Sequence, residues 1–439
     1  MAISEPVTYD VVGVGLGPAN LSLAIALEEH AAGPGAEPLR SVFLEQRPEL
    51  AWHRGMLLPG AKMQISFLKD LVTFRNPRSR FGFLSYLHDR GRLPEFVNNH
   101  DFFPTRQEFH DYLSWAAAQV SVPVRYNVRV TGLRPAPGEP EDDIWAVEVD
   151  AVDSARGPFR FRTSNVVIST GLVPRMPAGV ERDERVWHSS EFLDRYARCD
   201  AATLNRVAVV GAGQSAAEIV RHLHDTLPHA TITAILPSYG YAVADDTPFA
   251  NRVFDPAAVD DFYFGTDAAK DAFWHYHRNT NYSVVDADLL RDLYQRTYDE
   301  SVAGRKRLRV LNLARILAVK RADEDTRVTV NSFSAHEEID LDLDLLVCAT
   351  GYLPMQPADV LGELDAYCHR DEQGRYRVER DYRVVTSPRL RCGIYLQGGT
   401  EHTHGLTSSL LSNLATRSGD ITGSLLARRA VEHDRTVRA

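Results

Sequence analysis

Twice in this chain a short apolar run breaks into a glycine-rich turn and resumes with the character of a helix. That repetition narrows the possible folds more than any other feature. The first copy is Tyr9-Asp10-Val11-Val12-Gly13-Val14-Gly15-Leu16-Gly17-Pro18-Ala19-Asn20, followed by LSLAIALEEH; the second runs from Val207 through Gly211-Ala212-Gly213-Gln214-Ser215-Ala216 into AEIVRHLHDTL. A buried strand, a glycine-dense turn and a helix open a dinucleotide-binding unit. The glycines let the backbone approach a pyrophosphate, which sits at the positive end of the helix.

The two copies differ in ways that bear on their ligands. Counted from Gly13, the first is G-x-G-x-x-G with Pro18 at the third glycine, and its second apolar run, Ser41-Val42-Phe43-Leu44, ends at Glu45. An acid there is placed to accept hydrogen bonds from ribose hydroxyls. Counted from Gly211, the second copy is G-x-G-x-x-A. Its second strand, Thr231 to Leu236, ends in Pro237-Ser238 with no acid, which suits a cofactor carrying a 2′-phosphate. Yet no Arg or Lys stands between Ala230 and Asn251 to clamp one.

The exits from the two units also echo each other, VVISTGLVPRMP at 166–177 against LLVCATGYLPMQP at 345–357. A chain that leaves one nucleotide domain for another and then returns would show this. The expected fold is therefore α/β with two Rossmann-like domains, the second inserted in the first, plus a small, mostly helical substrate-binding region. Residues 1–171 and 352–439 form the first domain and 172–351 the second, with the substrate region around 240–303. Residues 1–8 read as a loose lead-in. Thr105 to Ala118 has helical spacing, with Thr105 and Glu108 as a capping box and Phe109, Tyr112, Leu113 and Trp115 facing the core. VRYNVRVTGL, IWAVEVD and GPFRFRT read as strands, as do 308–311 and 314–320, whereas 286–303 and Ser409 to Arg429 read as helices.

Two stretches resist this grammar. WHRGMLLPGAKMQISFLKDLVTFRNP (52–77) interleaves polar and apolar residues directly after the first unit. Residues 245–283, rich in Asn, Asp and aromatics, follow the second. Such insertions after a cofactor fold read either as irregular loops or as substrate sites. His402 and His404, two apart with no third ligand in sight, read as loop or hydrogen-bonding residues rather than a metal site.

The formal net charge of −10 argues against a nucleic-acid-binding surface. The cysteines, Cys199, Cys348, Cys368 and Cys392, form no C-x-x-C pair, which fits a reducing compartment and provides no redox dithiol. MAISEPVTYD has no basic or apolar signal region, and no apolar run approaches the ~18 residues of a membrane span. A cytoplasmic protein without membrane contact is expected. Two nucleotide units suggest a flavin beside a nicotinamide. Of the usual outcomes, disulfide reduction is disfavoured by the missing dithiol, leaving electron transfer and oxygen insertion.

Residues from about 7 to 425 resemble the microbial amine N-hydroxylases of siderophore biosynthesis, most closely the L-ornithine N5-monooxygenases. The matching stretches include GVGLGPANLSLA, WHRGMLLPGAKMQISFLKDL, RNPRSRFGFLSYL, NNHDFFPTRQEFHDYL, DDTPFANRVFDP, NTNYSVVD and THGLTSSLLSNLATRSG. The resemblance implies FAD, NADPH and molecular oxygen, activation of oxygen at the flavin C4a carbon as a hydroperoxide, and commonly a homotetramer. It implies flavin contacts at Gly13, Gly15, Gly17 and Pro18, along Glu45 to Trp52 and His53, and at Gln64 and Val130, with Ser409-Leu410-Leu411 closing over the ring. Gly213, Gln214 and Ser215 would cradle the NADPH pyrophosphate, and Asn281 would hold the nicotinamide-ribose portion. Lys69 would pair with the substrate α-carboxylate, with Asn251, Phe254 and Ser412 completing the substrate side. Family members often carry an arginine for the 2′-phosphate where this chain has Pro237. Lysine or diamine N-hydroxylation, and a non-catalytic flavin or NADP sensor, stand as alternatives. Lys69 weighs against a diamine, which has no carboxylate to meet it.

Overall fold

The computed structural model describes residues 7–321, 325–333 and 337–438. In chain order, its main elements begin with β1 (Val11–Val14), α1 (Pro18–Ala31), β2 (Ser41–Leu44), α2 (Arg106–Gln119), β3 (Val124–Arg125) and β4 (Asn165–Ile168). Then come β5 (Val186–His188), β6 (Arg206–Val210), α3 (Gln214–Thr226), β7 (Thr231–Ile235), α4 (Ala287–Val302) and β8 (Leu308–Leu311). The last are β9 (Leu345–Cys348), β10 (Gly393–Leu396) and α5 (Leu414–Arg438).

These strands make two five-stranded parallel sheets, ordered β10-β4-β1-β2-β3 and β5-β9-β6-β7-β8. A parallel sheet is covered on both faces, so its strands are apolar throughout instead of alternating. In β1, Val12 and Val14 pack into one core with Val42, Leu44 and Ile168, and Val11 packs into another with Leu23, Phe43 and Leu425. The apolar side of α3 (Ala216, Ile219, Val220, Leu223) seals the second sheet against Val207, Val209 and Ile232. After β4, Val173–Pro174 pairs antiparallel with Tyr352–Leu353, so the two echoing exits meet each other.

Several local expectations need correction. Residues 1–6 lie outside the described part of the chain, but Val7–Tyr9 is a strand, paired with Phe161–Thr163, and not a lead-in. VRYNVRVTGL is two strands: Asn127 takes φ 61°, which turns the chain from β3 into an antiparallel strand at Val128–Pro135. Only half of the capping box forms: Thr105 Oγ1 accepts the Glu108 N–H at 3.1 Å. The terminal helix starts at Leu414, because Leu410 is extended between two 3₁₀ turns at Leu406–Ser409 and Leu411–Asn413. No helix among the described residues is long and apolar enough to cross a membrane.

Candidate functional site

A cleft of about 3410 Å³ runs between the two sheets, and both glycine turns open onto it. Pockets for one drug-sized ligand occupy roughly 300–1,000 Å³, so this space suits several ligands side by side.

The first turn requires its glycines for different reasons. A Cβ on Gly15, at φ +83°, would sit 2.4 Å from Ser169 O, whereas Gly17 faces open space at the start of α1. The second turn is similar, with a Cβ on Gly211 meeting Ala349 O at 2.3 Å and one on Gly213 in ordinary contact with the Ser283 backbone at 3.8 Å. Aligned by their strands, the motif therefore begins at Gly15 and not Gly13, and its third position is Asn20 and not Pro18. Asn20 is fully buried, and its amide donates to Gly15 O at 2.7 Å, bracing the turn. Gly13 lies outside the cleft; a Cβ there would strike the Phe43 ring at 2.2 Å, so this glycine serves strand packing. Glu45 is tied to the turn, accepting Leu16 N–H at 2.8 Å and Arg47 N–H at 2.9 Å. The open approach at Gly17, beside the start of α1, fits a pyrophosphate. The buried Ser408 Oγ, Ser412 Oγ and Gln397 Oε1 on the cleft wall have no hydrogen-bond partner within the described residues, which leaves polar capacity for a bound group.

The stretch at 52–77 crosses the cleft without forming a regular helix or strand. Arg54–Met56 is one 3₁₀ turn, and Lys62 bridges to Thr105. Its inner side is core, with Met63, Leu71 and Val72 packed on Phe81, Phe83, Phe109 and Tyr112. Its outer side contributes Trp52, His53, Gln64 and Lys69 to the cleft. Trp52 and His53 meet edge to face at 4.6 Å. Gln64 reaches across to the second unit. Its Nε2 donates to Asp286 Oδ1 at 2.9 Å, and Gln214 Nε2 donates to Asp286 Oδ2 at 2.8 Å. The Asp286 N–H returns a bond to Gln214 Oε1 at 2.9 Å, which fixes the orientation of that amide. In sequence Asp286 looks like a helix cap. Its side chain makes no capping bond and joins the two cofactor-side loops instead.

Lys69 is partly buried, with Nζ 5.4 Å from the Phe254 ring centre. Burial pushes its pKa down, opposed by the nearby Asp255 carboxylate, and it makes no ion pair with any described residue. Asn251 donates Nδ2 to Asp246 O at 2.7 Å, which leaves its amide oxygen available to the cleft it lines. Phe254, Asn281, Ser412, Val130, Ser215 and the Ser409-Leu410-Leu411 turn line the same cleft, as does Pro237. Beside Asn281, Tyr282 donates its hydroxyl to Glu401 at 2.5 Å, and burial pushes the Glu401 carboxyl up. Neither Tyr282 nor Glu401 stands out in the sequence, because each sits in a stretch dense with other polar residues. His402 Nε2 bonds Tyr376 O at 2.8 Å, and His404 stacks on Tyr382 at 4.0 Å with Nε2 3.2 Å from Arg380 O, so both histidines have hydrogen-bonding roles.

The arrangement holds two nucleotide turns, a lysine that makes no ion pair among the described residues and a cluster of buried hydroxyls around one space. Residues 7–354 match the family model of L-lysine 6-monooxygenase/L-ornithine 5-monooxygenase. An L-ornithine N(5)-monooxygenase of Burkholderia cepacia is 40% identical over 404 residues, 90% of each chain. The ornithine N-hydroxylase of Kutzneria sp. 744, solved with reduced FAD, NADP⁺ and L-ornithine, is 62% identical with a TM-score of 0.92, covering 96% of this chain and 100% of its own. The ornithine hydroxylase of Pseudomonas aeruginosa is 34% identical with a TM-score of 0.89, covering 96% of this chain and 100% of its own.

Proposed function

Because the chain belongs to the L-lysine 6-monooxygenase/L-ornithine 5-monooxygenase family, we propose that it hydroxylates the terminal amine of L-ornithine to N5-hydroxy-L-ornithine. FAD, NADPH and molecular oxygen are the partners of that reaction, and hydroxamate siderophores or related natural products are its destination. The observation that carries this reading is Lys69, a cation with no ion-pair partner among the described residues, held over Phe254 in the cleft that both nucleotide turns share.

Flavin reduced by NADPH supplies activated oxygen when bound. The residues of the chain have three tasks around it. Gly15, Gly17, Glu45, Trp52, His53, Gln64, Val130 and Ser409-Leu410-Leu411 hold the flavin, and Gly213-Gln214-Ser215 and Asn281 hold the nicotinamide nucleotide. Lys69 and Asn251 fix the amino-acid end of the substrate, the former through a charge-assisted bond to its carboxylate. Phe254 and Ser412 flank the substrate. The amine must arrive neutral, and a free alkyl amine titrates near ~10. A partly apolar wall favours the uncharged form, and keeping water out protects the activated oxygen.

Residues 1–171 and 352–439 form the FAD domain in this reading, and 172–351 the NADPH domain, with substrate contacts around 240–303. The working protein is a cytoplasmic homotetramer, in keeping with the family and with four free cysteines. Lysine N6-hydroxylation is the nearest rival, since one methylene changes binding by only about 1–3 kcal/mol. The test is NADPH oxidation by FAD-loaded protein with hydroxylamine product quantified across ornithine, lysine, putrescine and cadaverine. Ornithine should give the most product. Peroxide without hydroxylated product from any of the four would overturn the reading.

A further inference from the structure

The second nucleotide unit lacks a basic residue near the end of its second strand, yet the fold brings one there from elsewhere. A 2′-phosphate on a Rossmann-bound nucleotide sits by the end of that strand, where an acid would bind a bare ribose and an arginine accommodates the phosphate. Here the strand is β7, which runs into Leu236-Pro237-Ser238. That end is bonded to the segment leaving β8. Leu236 N–H donates to Leu311 O at 2.9 Å, Ala314 N–H to Leu236 O at 2.8 Å, and Leu313 N–H to Ser238 O at 3.0 Å. Arg315 is the next residue. It lines the same cleft as Pro237, Gly213 and Ser215. Its side chain is exposed, with its guanidinium carbon 5.1 Å from the Phe333 ring centre and no hydrogen bond or ion pair to any described residue. Stacking on an aromatic face leaves the N–H edges of a guanidinium free for a planar, two-pronged bond to phosphate. Among the cleft arginines, Arg54, Arg106 and Arg291 are paired with Glu49, Glu218 and Asp288.

We propose that Arg315 is the 2′-phosphate-binding residue of this protein and sets its preference for NADPH over NADH. It supplies, from the segment that follows β8, the part that the end of β7 leaves unfilled. The assignment rests on the reading that the second unit binds a nicotinamide nucleotide.

The experiment uses FAD-loaded full-length protein in three forms: parent, Arg315→Ala and Arg315→Lys. Calorimetry measures binding of adenosine 2′,5′-bisphosphate and of adenosine 5′-monophosphate, and ornithine-dependent turnover is followed with NADPH and with NADH. A charged hydrogen bond of ordinary strength predicts that Arg315→Ala weakens the bisphosphate about tenfold or more. The monophosphate should shift by less than about twofold, since its binding does not involve the lost contact. The ratio of kcat/KM for NADPH over NADH should fall in parallel, and Arg315→Lys, which keeps the charge without the fork, should lie between. Equal effects on the two adenosine ligands, or no effect on either, would overturn the assignment while hydroxylated ornithine is still formed. A parent protein that forms no hydroxylated ornithine with either nicotinamide would instead overturn the functional reading beneath it.

Discussion

Arg106 and Glu218 form a two-pronged ion pair between α2 and α3, Nη1 to Oε2 at 2.8 Å and Nη2 to Oε1 at 2.9 Å. The Glu218 side chain is 1% exposed and the Arg106 side chain 11%. Arg106 Nη1 also donates to Met56 O at 2.8 Å, so the pair pins the irregular stretch after the first nucleotide unit to the helix that opens the second. Gln214, at the start of that helix, adds a bond to Glu218 at 3.0 Å.

Removing one partner of such a pair leaves the other charge buried and uncompensated, which costs about 3–5 kcal/mol. Arg106→Met should therefore lower the melting temperature more than the double substitution Arg106→Met/Glu218→Met. Thermal melts of the FAD-loaded protein check this. A double variant less stable than the single one would show that the pair itself, and not the avoidance of an orphan charge, dominates.

Lys69→Ala should separate substrate binding from cofactor chemistry. A charge-assisted bond contributes about 1.5–3 kcal/mol, so KM for ornithine should rise roughly tenfold to a hundredfold. Flavin reduction by NADPH, followed by stopped-flow absorbance, should stay near the parent rate. Equal loss of both would make Lys69 a structural residue.

Acid should weaken the fold partly through His404. It is 1% exposed, and burial pushes its pKa down from 6.5 to about 3. Between those values the unfolded chain binds the extra proton and the folded one does not, so stability is present above 6.5 and is lost as pH falls. From about pH 7 to about pH 5 this group alone should cost about 2 kcal/mol. Denaturant midpoints at the two pH values should converge in His404→Phe, which keeps a ring against Tyr382 and cannot be protonated. An undiminished acid loss in that variant would assign the effect to other buried histidines.

The sheets were legible in the sequence because parallel strands are short, wholly apolar and punctuated by glycine, and β1, β6, β4 and β9 all have that character. The register of the first glycine motif was not. Gly13 and Gly15 are interchangeable as letters, and only the contact of Gly13 with Phe43 shows which belongs to strand packing. The polar stretches gave up their residues but not their partners. Asp286 has the sequence context of a cap, and its bonds to Gln64 and Gln214 span long separations in the chain. Arg315 was hidden for the same reason, since its place near the end of β7 depends on backbone bonds between 311–314 and 236–238, far apart in the chain. The stretch at 409–413 misled in the other direction: its leucines suit the start of the last helix, but the extended Leu410 interrupts it between two 3₁₀ turns.

The central claim is that this cleft transfers one oxygen atom from dioxygen to the terminal nitrogen of ornithine at the expense of NADPH. Mass spectrometry of the amino acid recovered after turnover under isotope-labelled dioxygen, with NADPH consumption measured in the same sample, tests it most directly. The account predicts N5-hydroxyornithine carrying one labelled oxygen, formed in near-equal amount to the NADPH oxidised. Unlabelled product, or NADPH consumed with ornithine recovered unchanged, would contradict it.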